Sequence, residues 1–159
     1  MHEASRAELA TRNRNANTEH GNDPPRRGDD IAERLLDLAA AVIKLLPALH
    51  RKPAAKSLVK QLERCAPAGG ANYEEARGAE SPADFVHKLR IALKEVRETR
   101  YWLKLLLRAE LLDCPNRLMQ LVDEAGELIA ILTASANTAR QRSQRRTQLI
   151  PRSRSRSCS

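Results

Sequence analysis

Apolar residues recur every third or fourth position in four segments between residues 29 and 139, and this spacing places each set on one face of an α-helix. The clearest sets, in the first and third segments, are Ile31, Leu35, Leu38, Val42, Leu45 and Leu49, and Val86, Leu89, Leu93, Val96, Leu103 and Leu107. No segment alternates in the way a half-buried strand would. Four amphipathic helices with short connections predict an all-α protein, folded as an antiparallel up-down four-helix bundle.

Capping signals predict where two of these helices begin. Asp29 or Asp30 is expected to cap the first helix. Ser81 is expected to cap the third, because its hydroxyl can accept the amide of Asp84 while the Asp84 carboxylate reaches back to the Ser81 amide. The third helix is predicted to end near Leu112.

Prolines mark the other boundaries of the first and fourth helices. Pro47 is expected to kink or end the first helix, because proline removes a backbone hydrogen bond and clashes with the preceding turn. Pro115 lies inside the first turn of the fourth helix, which follows Asp113 and is predicted to end near Ala139.

The second helix contains the least regular signals. It is predicted to run from Pro53 to about Arg77, kinked but continuous through Pro67, with Gly78 as its C-terminal stop. Asn72 falls in the apolar phase of this helix. It is therefore expected to be a buried side chain that fixes the register of the bundle, with a ligand contact as the alternative.

Charge and composition divide the chain into three parts. The net charge is +8, yet residues 29–138 carry sixteen basic and sixteen acidic residues and are neutral. Residues 139–159 carry seven arginines and no acid. We predict a disordered polar arm over 1–28, the bundle over 29–140 and a disordered Arg/Ser-rich tail over 141–159.

The cysteines and the N-terminus indicate the compartment. Cys65, Cys114 and Cys158 are far apart and lack metal-ligand spacing, so reduced thiols are expected. The N-terminal residues contain no hydrophobic segment of a secretory signal, and no apolar run is long enough to cross a bilayer. These features predict a cytoplasmic protein with no membrane association.

One stretch carries a family resemblance. The run GANYEEARGAESPADFVHKLRIALKEVRETRYWLKLL at 70–106, with ELIAILTASANTAR later, resembles the bacterial four-helix-bundle family of the 23S rRNA intervening-sequence proteins. The resemblance covers roughly residues 30–140. Pro67 and Gly69 depart from the family pattern, and both arms lie outside it.

The resemblance implies an assembly but little chemistry. Some members of the family are encoded within insertions in the large-subunit rRNA gene, and most have no assigned biochemical function. The family is also similar to the accessory proteins of diversity-generating retroelements, pentameric bundles that bind nucleic acid and a reverse transcriptase. By resemblance, this chain is expected to form a ring-like homo-oligomer, a pentamer, whose partners are itself, RNA or DNA, and a protein such as a reverse transcriptase.

Catalytic chemistry is not indicated by the sequence. The histidines do not form the Glu-x-x-His pairs of di-iron bundles, and the inward positions are almost all apolar. There is no glycine-rich phosphate loop. We therefore expect no catalytic residue, metal ion or cofactor, and no enzymatic activity.

Basic residues form the main candidate binding surface. Two sets lie along helix faces and a third lies in the tail; they are Lys52, Lys56, Lys60 and Arg64, then Arg90, Lys94, Arg97, Lys104 and Arg108, then Arg142, Arg145, Arg146, Arg152, Arg154 and Arg156. Such sets could contact phosphates with little sequence preference. The alternatives are a solvated face paired with Glu95 and Glu98 by one-turn salt bridges, and a tail without a binding role.

A second candidate surface is a subunit interface on the third helix, formed by Arg100, Tyr101, Trp102, Leu105 and Leu106. Arg100 interrupts the apolar set, so it is expected to meet a carboxylate or to lie between subunits. An exposed Trp102 would be a good interface anchor, unless a wide apolar face simply includes it.

Together these features predict a non-enzymatic, oligomeric, nucleic-acid-associated protein. The alternative is a protein–protein adaptor or scaffold in which the basic charge is incidental.

Overall fold

The computed structural model describes residues 28–148, and the regular structure in this range is helical. The helices are α1 (Asp29–Ile43), α2 (Leu46–His50), α3 (Lys56–Arg77), α4 (Pro82–Arg108) and α5 (Pro115–Gln148), with a 3₁₀ turn at Pro53–Ala55. The arm before residue 28 and the part of the tail after residue 148 lie outside the described residues.

The four long helices form a bundle, as the sequence predicts. Helix α4 packs against α3 and α5, and α1 packs against the same two helices. Helices α1 and α4 therefore occupy opposite corners. Arg77 at the end of α3 pairs with Asp29 at the start of α1, so these two helices run antiparallel. The fully buried side chains at the centre are mainly leucine and valine.

Pro47 explains why the first helix ends early. The carbonyl four residues before it belongs to Ile43, which is the last residue of α1. The chain resumes as α2, with Pro47 in its first turn. At the other end, the N-cap is Gly28, at φ 93°, and Asp29 and Asp30 lie in the first turn instead of capping it.

Helix α3 is continuous through Pro67, as expected. Pro67 is exposed, so the carbonyl that it leaves without a helical partner faces water, while Cys65 and Ala66 beside it are buried in the core. The prediction for Asn72 is wrong. Its amide donates to the carbonyl of Ala68 at 2.8 Å within its own helix, and the buried residue is its neighbour Tyr73.

Helix α4 begins as predicted and ends four residues early. The Ser81 hydroxyl accepts the Asp84 amide at 3.1 Å. Past Arg108, Glu110 adopts a positive φ of 49°, and the amides of Glu110 and Leu111 donate back to the carbonyls of Leu107 and Leu106. This is a Schellman closure without glycine, which hid it from the sequence pattern.

Helix α5 extends further than expected. It ends at Gln148, so the prediction of disorder from residue 141 is wrong for 141–148. These residues contain no glycine or proline, and arginine and glutamine favour helix. No helix within residues 28–148 has the length and apolar character needed to cross a membrane.

A pair of adjacent glycines tests the packing of α3 on α4. Gly69→Ala should destabilise the bundle, because a Cβ there would lie 2.8 Å from Val96 Cγ2. Gly70→Ala should stabilise it by about 0.5–1 kcal/mol through helix propensity, because the nearest atom is Leu35 Cβ at 3.6 Å. Urea unfolding followed by circular dichroism measures both free energies.

The matched control places Gly69→Ala in a Val96→Ala background. Removing the Val96 methyl groups makes room for the new Cβ, so Gly69→Ala should cost less there than in the native chain. Equal free energies of unfolding for Gly69→Ala and Gly70→Ala would contradict the close approach of the two helices.

Candidate nucleic-acid interface

The outer face of α4 carries an exposed line of basic side chains, here called the α4 stripe: Arg90, Lys94, Arg97, Lys104 and Arg108. Their spacings of four, three, seven and four residues keep them within about 80° of arc around the helix. All five side chains are exposed, and within residues 28–148 none of them forms an ion pair. The structure thus places the five residues on one exposed face, and their role in binding stays a prediction.

Glu95 and Glu98 of α4 point away from the stripe, toward α3. Arg64 on α3 donates to the Glu95 carboxylate at 3.1 Å and also binds the Glu98 carboxylate. The one-turn salt bridges considered as an alternative are absent among the described residues, because Arg64 holds both carboxylates. Neither carboxylate therefore forms an ion pair with a residue of the α4 stripe.

The contact with Arg64 also lowers the pKa of Glu98. The hydrogen bond from Arg64, with a smaller contribution from the indole of Trp102, holds the pKa of Glu98 below its usual value. Trp102 Nε1 donates to Glu98 Oε1 at 3.3 Å. Glu98 therefore connects α3 to the aromatic residues of α4.

Tyr101 interrupts the α4 stripe between Arg97 and Lys104. Its side chain is 59% exposed, while that of Trp102 is half-buried against the core. The two rings meet edge to face, with centroids 4.9 Å apart and planes at 77°. One exposed aromatic side chain thus lies among the basic side chains of this face.

Arg100 meets no carboxylate among the described residues, and its position between subunits stays a prediction. Its Nε donates to the carbonyl of Val122 on α5 at 3.1 Å. Its guanidinium lies flat over Gly126, where a Cβ would come within 3.0 Å of it. The carbonyl of Val122 and the absence of a side chain at Gly126, both on α5, accommodate the charge of Arg100.

The structure places the residues of the predicted subunit interface in different environments. Leu106 is fully buried in the core of its own chain, so its assignment to an interface is wrong. The core phase of α4 passes from Leu103 to Leu106, leaving Leu107 half-buried. Leu105 is only marginally exposed at 36%.

A different apolar surface was missed by the sequence reading. Leu36 and Ile43 on α1 are 61% and 49% exposed, and half-buried Ala40 lies between them. These three residues, the α1 face, follow one side of the helix that no other described element covers. The sequence does contain a signal for this surface, because α1 carries apolar residues on more than one side of the helix.

The first basic set, Lys52, Lys56, Lys60 and Arg64, is a weaker candidate than the α4 stripe. Arg64 is engaged by two carboxylates, Lys52 is half-buried, and Lys56 and Lys60 are exposed. Glu63 lies beside them, paired with His50 at 3.1 Å. Acidic charge therefore interrupts this face.

The tail set is described only in part. Arg142 and Arg145 are exposed on the last turns of α5. Arg146 lies on the same helix. Arg152, Arg154 and Arg156 lie outside the described residues, so their role stays a prediction.

A cleft of about 990 Å³ opens at the end of the bundle, between the start of α1 and the last turns of α5. Its wall includes Tyr73, Phe85 and Arg77, and Arg77 is already bound by Asp29 and Glu74. The described residues contain no cluster of three or more His, Cys, Asp or Glu suited to a metal ion. The cleft offers no evident catalytic arrangement.

Comparison with known proteins gives a family match and a similar solved structure. The profile of the 23S rRNA-intervening sequence protein family matches residues 29–134. A crystal structure of a protein of unknown function from the S23 ribosomal protein family of Bacteroides thetaiotaomicron is 33% identical, with a TM-score of 0.62, over 67% of this chain and 97% of that one. No curated protein gives a significant match.

Acid should reveal the Arg64–Glu98 contact. The folded-state pKa of Glu98 is depressed from 4.5, so its contribution to stability is complete above that value and disappears as the pH falls through the folded pKa. The free energy of unfolding should therefore fall less steeply below pH 4.5 in Glu98→Gln than in the native chain. Urea titrations at several pH values measure this.

Arg64→Gln provides the paired control, because it removes the same hydrogen bond from the other side. The double variant should differ little from either single variant in its acid slope. Parallel stability profiles for the native chain and Glu98→Gln would show that the contact is not formed in solution.

Proposed function

This chain belongs to the family of 23S rRNA-intervening sequence proteins, and we propose that it is a non-enzymatic protein that binds the sugar–phosphate backbone of RNA or DNA. The observation that carries the proposal is the α4 stripe: five exposed basic side chains on one helix face without a carboxylate among them. Phosphates bound there would replace water and counterions rather than existing ion pairs.

The dimensions of the stripe support contact with several nucleotides at once. From Arg90 to Arg108 the helix rises about 27 Å, at about 1.5 Å per residue. A straight helix presents its cations in a line, which suits the regularly charged backbone of a nucleic acid. Because the contacts are to phosphates, binding should show little sequence preference.

The protein is further proposed to act as a homo-oligomer, with the pentamer of similar bundles as the expected form. The α1 face is the better candidate for contact between copies, because Leu36 and Ile43 are apolar and uncovered. Two α4 stripes brought together would repel each other. Since α1 and α4 occupy opposite corners, an interface on α1 leaves every α4 stripe accessible, and several weak sites would act together.

A scaffold that binds protein alone is the second candidate function. The exposed α1 face favours it, because such a surface also suits a different protein partner. Oligomerisation or protein binding without any affinity for nucleic acid would support this function over the first.

Neutralising part of the α4 stripe should weaken nucleic-acid binding and its salt dependence. The variant Arg90→Gln/Lys94→Gln/Arg97→Gln removes three cations, so the slope of log affinity against log salt should fall by about 2 for a single strand. Fluorescence anisotropy of the full chain across a salt series measures both quantities.

The matched control removes the same charge elsewhere. Lys44→Gln/Arg51→Gln/Arg117→Gln changes three exposed basic residues that lie at the C-cap of α1, at the C-cap of α2 and on α5. It should leave affinity closer to the native value. Equal losses in the two triple variants would show that net charge, and not the α4 stripe, governs binding.

Charge placed on the α1 face should dissociate the oligomer. Leu36→Glu/Ile43→Glu would bury two carboxylates in the proposed interface, so the sedimentation coefficient should fall to that of a monomer. Met119→Glu, an exposed apolar position on α5, is the control and should leave the assembly intact. A native chain that is already monomeric would exclude the oligomer, and dissociation by Leu105→Glu alone would move the interface to α4.

A further inference from the structure

We infer that the α4 stripe selects single-stranded nucleic acid over duplex, with an unpaired base stacked on Tyr101. This inference rests on the proposed function, because it names the class of nucleic acid that the same surface takes. The cations hold the backbone, and the aromatic ring recognises the state of the bases. RNA and DNA single strands share this chemistry.

The position of Tyr101 is the first argument. It lies four residues after Arg97 and three before Lys104, in line with the α4 stripe. Its ring is 59% exposed. Its hydroxyl forms no hydrogen bond to any residue between 28 and 148, so within this range the hydroxyl makes no structural contact of its own.

The support beneath Tyr101 is the second argument. Its ring meets Trp102 edge to face at 4.9 Å. Trp102 is fixed through its indole N–H by Glu98, and Glu98 is fixed by Arg64 from the neighbouring helix. A chain of contacts from α3 therefore holds the ring, which lowers the entropy lost when a base stacks on it.

The shape of the surface is the third argument. Phosphates of a single strand and of a duplex are both accessible to lysine and arginine, so the cations alone discriminate little. Bases inside a duplex are already stacked on both faces. A tyrosine on the convex side of a helix can reach the face of a base only where that base is unpaired and turned outward.

Anisotropy with fluorescein-labelled 20-mers of one mixed sequence tests the inference on the full chain. The probes are the DNA strand, the RNA strand and the blunt DNA duplex. Tyr101→Ala should weaken binding of both single strands about tenfold and leave duplex binding unchanged. Tyr101→Phe should bind like the native chain, because the ring and not the hydroxyl makes the contact.

Trp102 supplies an independent readout, because it is the only tryptophan in the chain. A base stacked on Tyr101 would lie beside Trp102, so single strands should change its emission and the duplex should not. Tyr101→Leu keeps an apolar side chain without a ring, and it should lose both the affinity and the emission change. Circular dichroism confirms that each variant is folded.

The outcomes separate the two proposals. If the duplex binds as tightly as the single strands and Tyr101→Ala weakens neither, the inference fails while backbone binding stands. Equal weakening of single strands and duplex by Tyr101→Ala also overturns it. If the native chain binds none of the probes at moderate salt, the proposed function fails and the inference fails with it. If only RNA or only DNA single strands respond to Tyr101→Ala, the selectivity for unpaired bases stands and the sugar is also read.

Discussion

The contact of Arg64 with Glu95 and Glu98 determines the character of two surfaces at once. It directs the carboxylates of Glu95 and Glu98 toward α3 and pairs both with one arginine. It also occupies the one arginine that would have made the α3 face comparably basic. Without this interhelical contact, the same residues would form a mixed, largely neutral face.

The arrangement of the four helices gives the molecule two unlike sides. Helix α4 presents cations and a tyrosine, while α1, at the opposite corner, presents leucine and isoleucine. Ion pairs connect α1 to α5, because Arg34 binds Glu124 at 2.7 Å and Glu127 at 2.5 Å. Arg34 lies on the side of α1 that faces α5. Leu36 and Ile43 remain exposed on that helix. Such polarity suits a subunit that meets its copies on one side and a charged ligand on the other.

The fold followed from sequence because its signals are local. Apolar spacing, the Ser81 cap and the effect of Pro47 each act within a few residues of their position. The wrong predictions concern side chains whose environment depends on a neighbouring helix. A strict heptad assigned Leu107 to the core, but a straight helix drifts from that repeat and turns Leu106 inward. The partners of Arg64 and Arg100 lie 22 to 34 residues away along the chain. The spacing of residues within one helix could therefore not predict these contacts.

The length of α5 has a consequence for the arginine-rich tail. The last turns of α5 and the first turns of α4 line the same cleft, through Thr138 and Arg142 on one helix and Phe85 and Leu89 on the other. The last described turns of α5 therefore lie at the end of the bundle where α4 begins. If a strand binds α4 as proposed, the exposed Arg140, Arg142 and Arg145 on these turns would add a local excess of positive charge near one end of that strand.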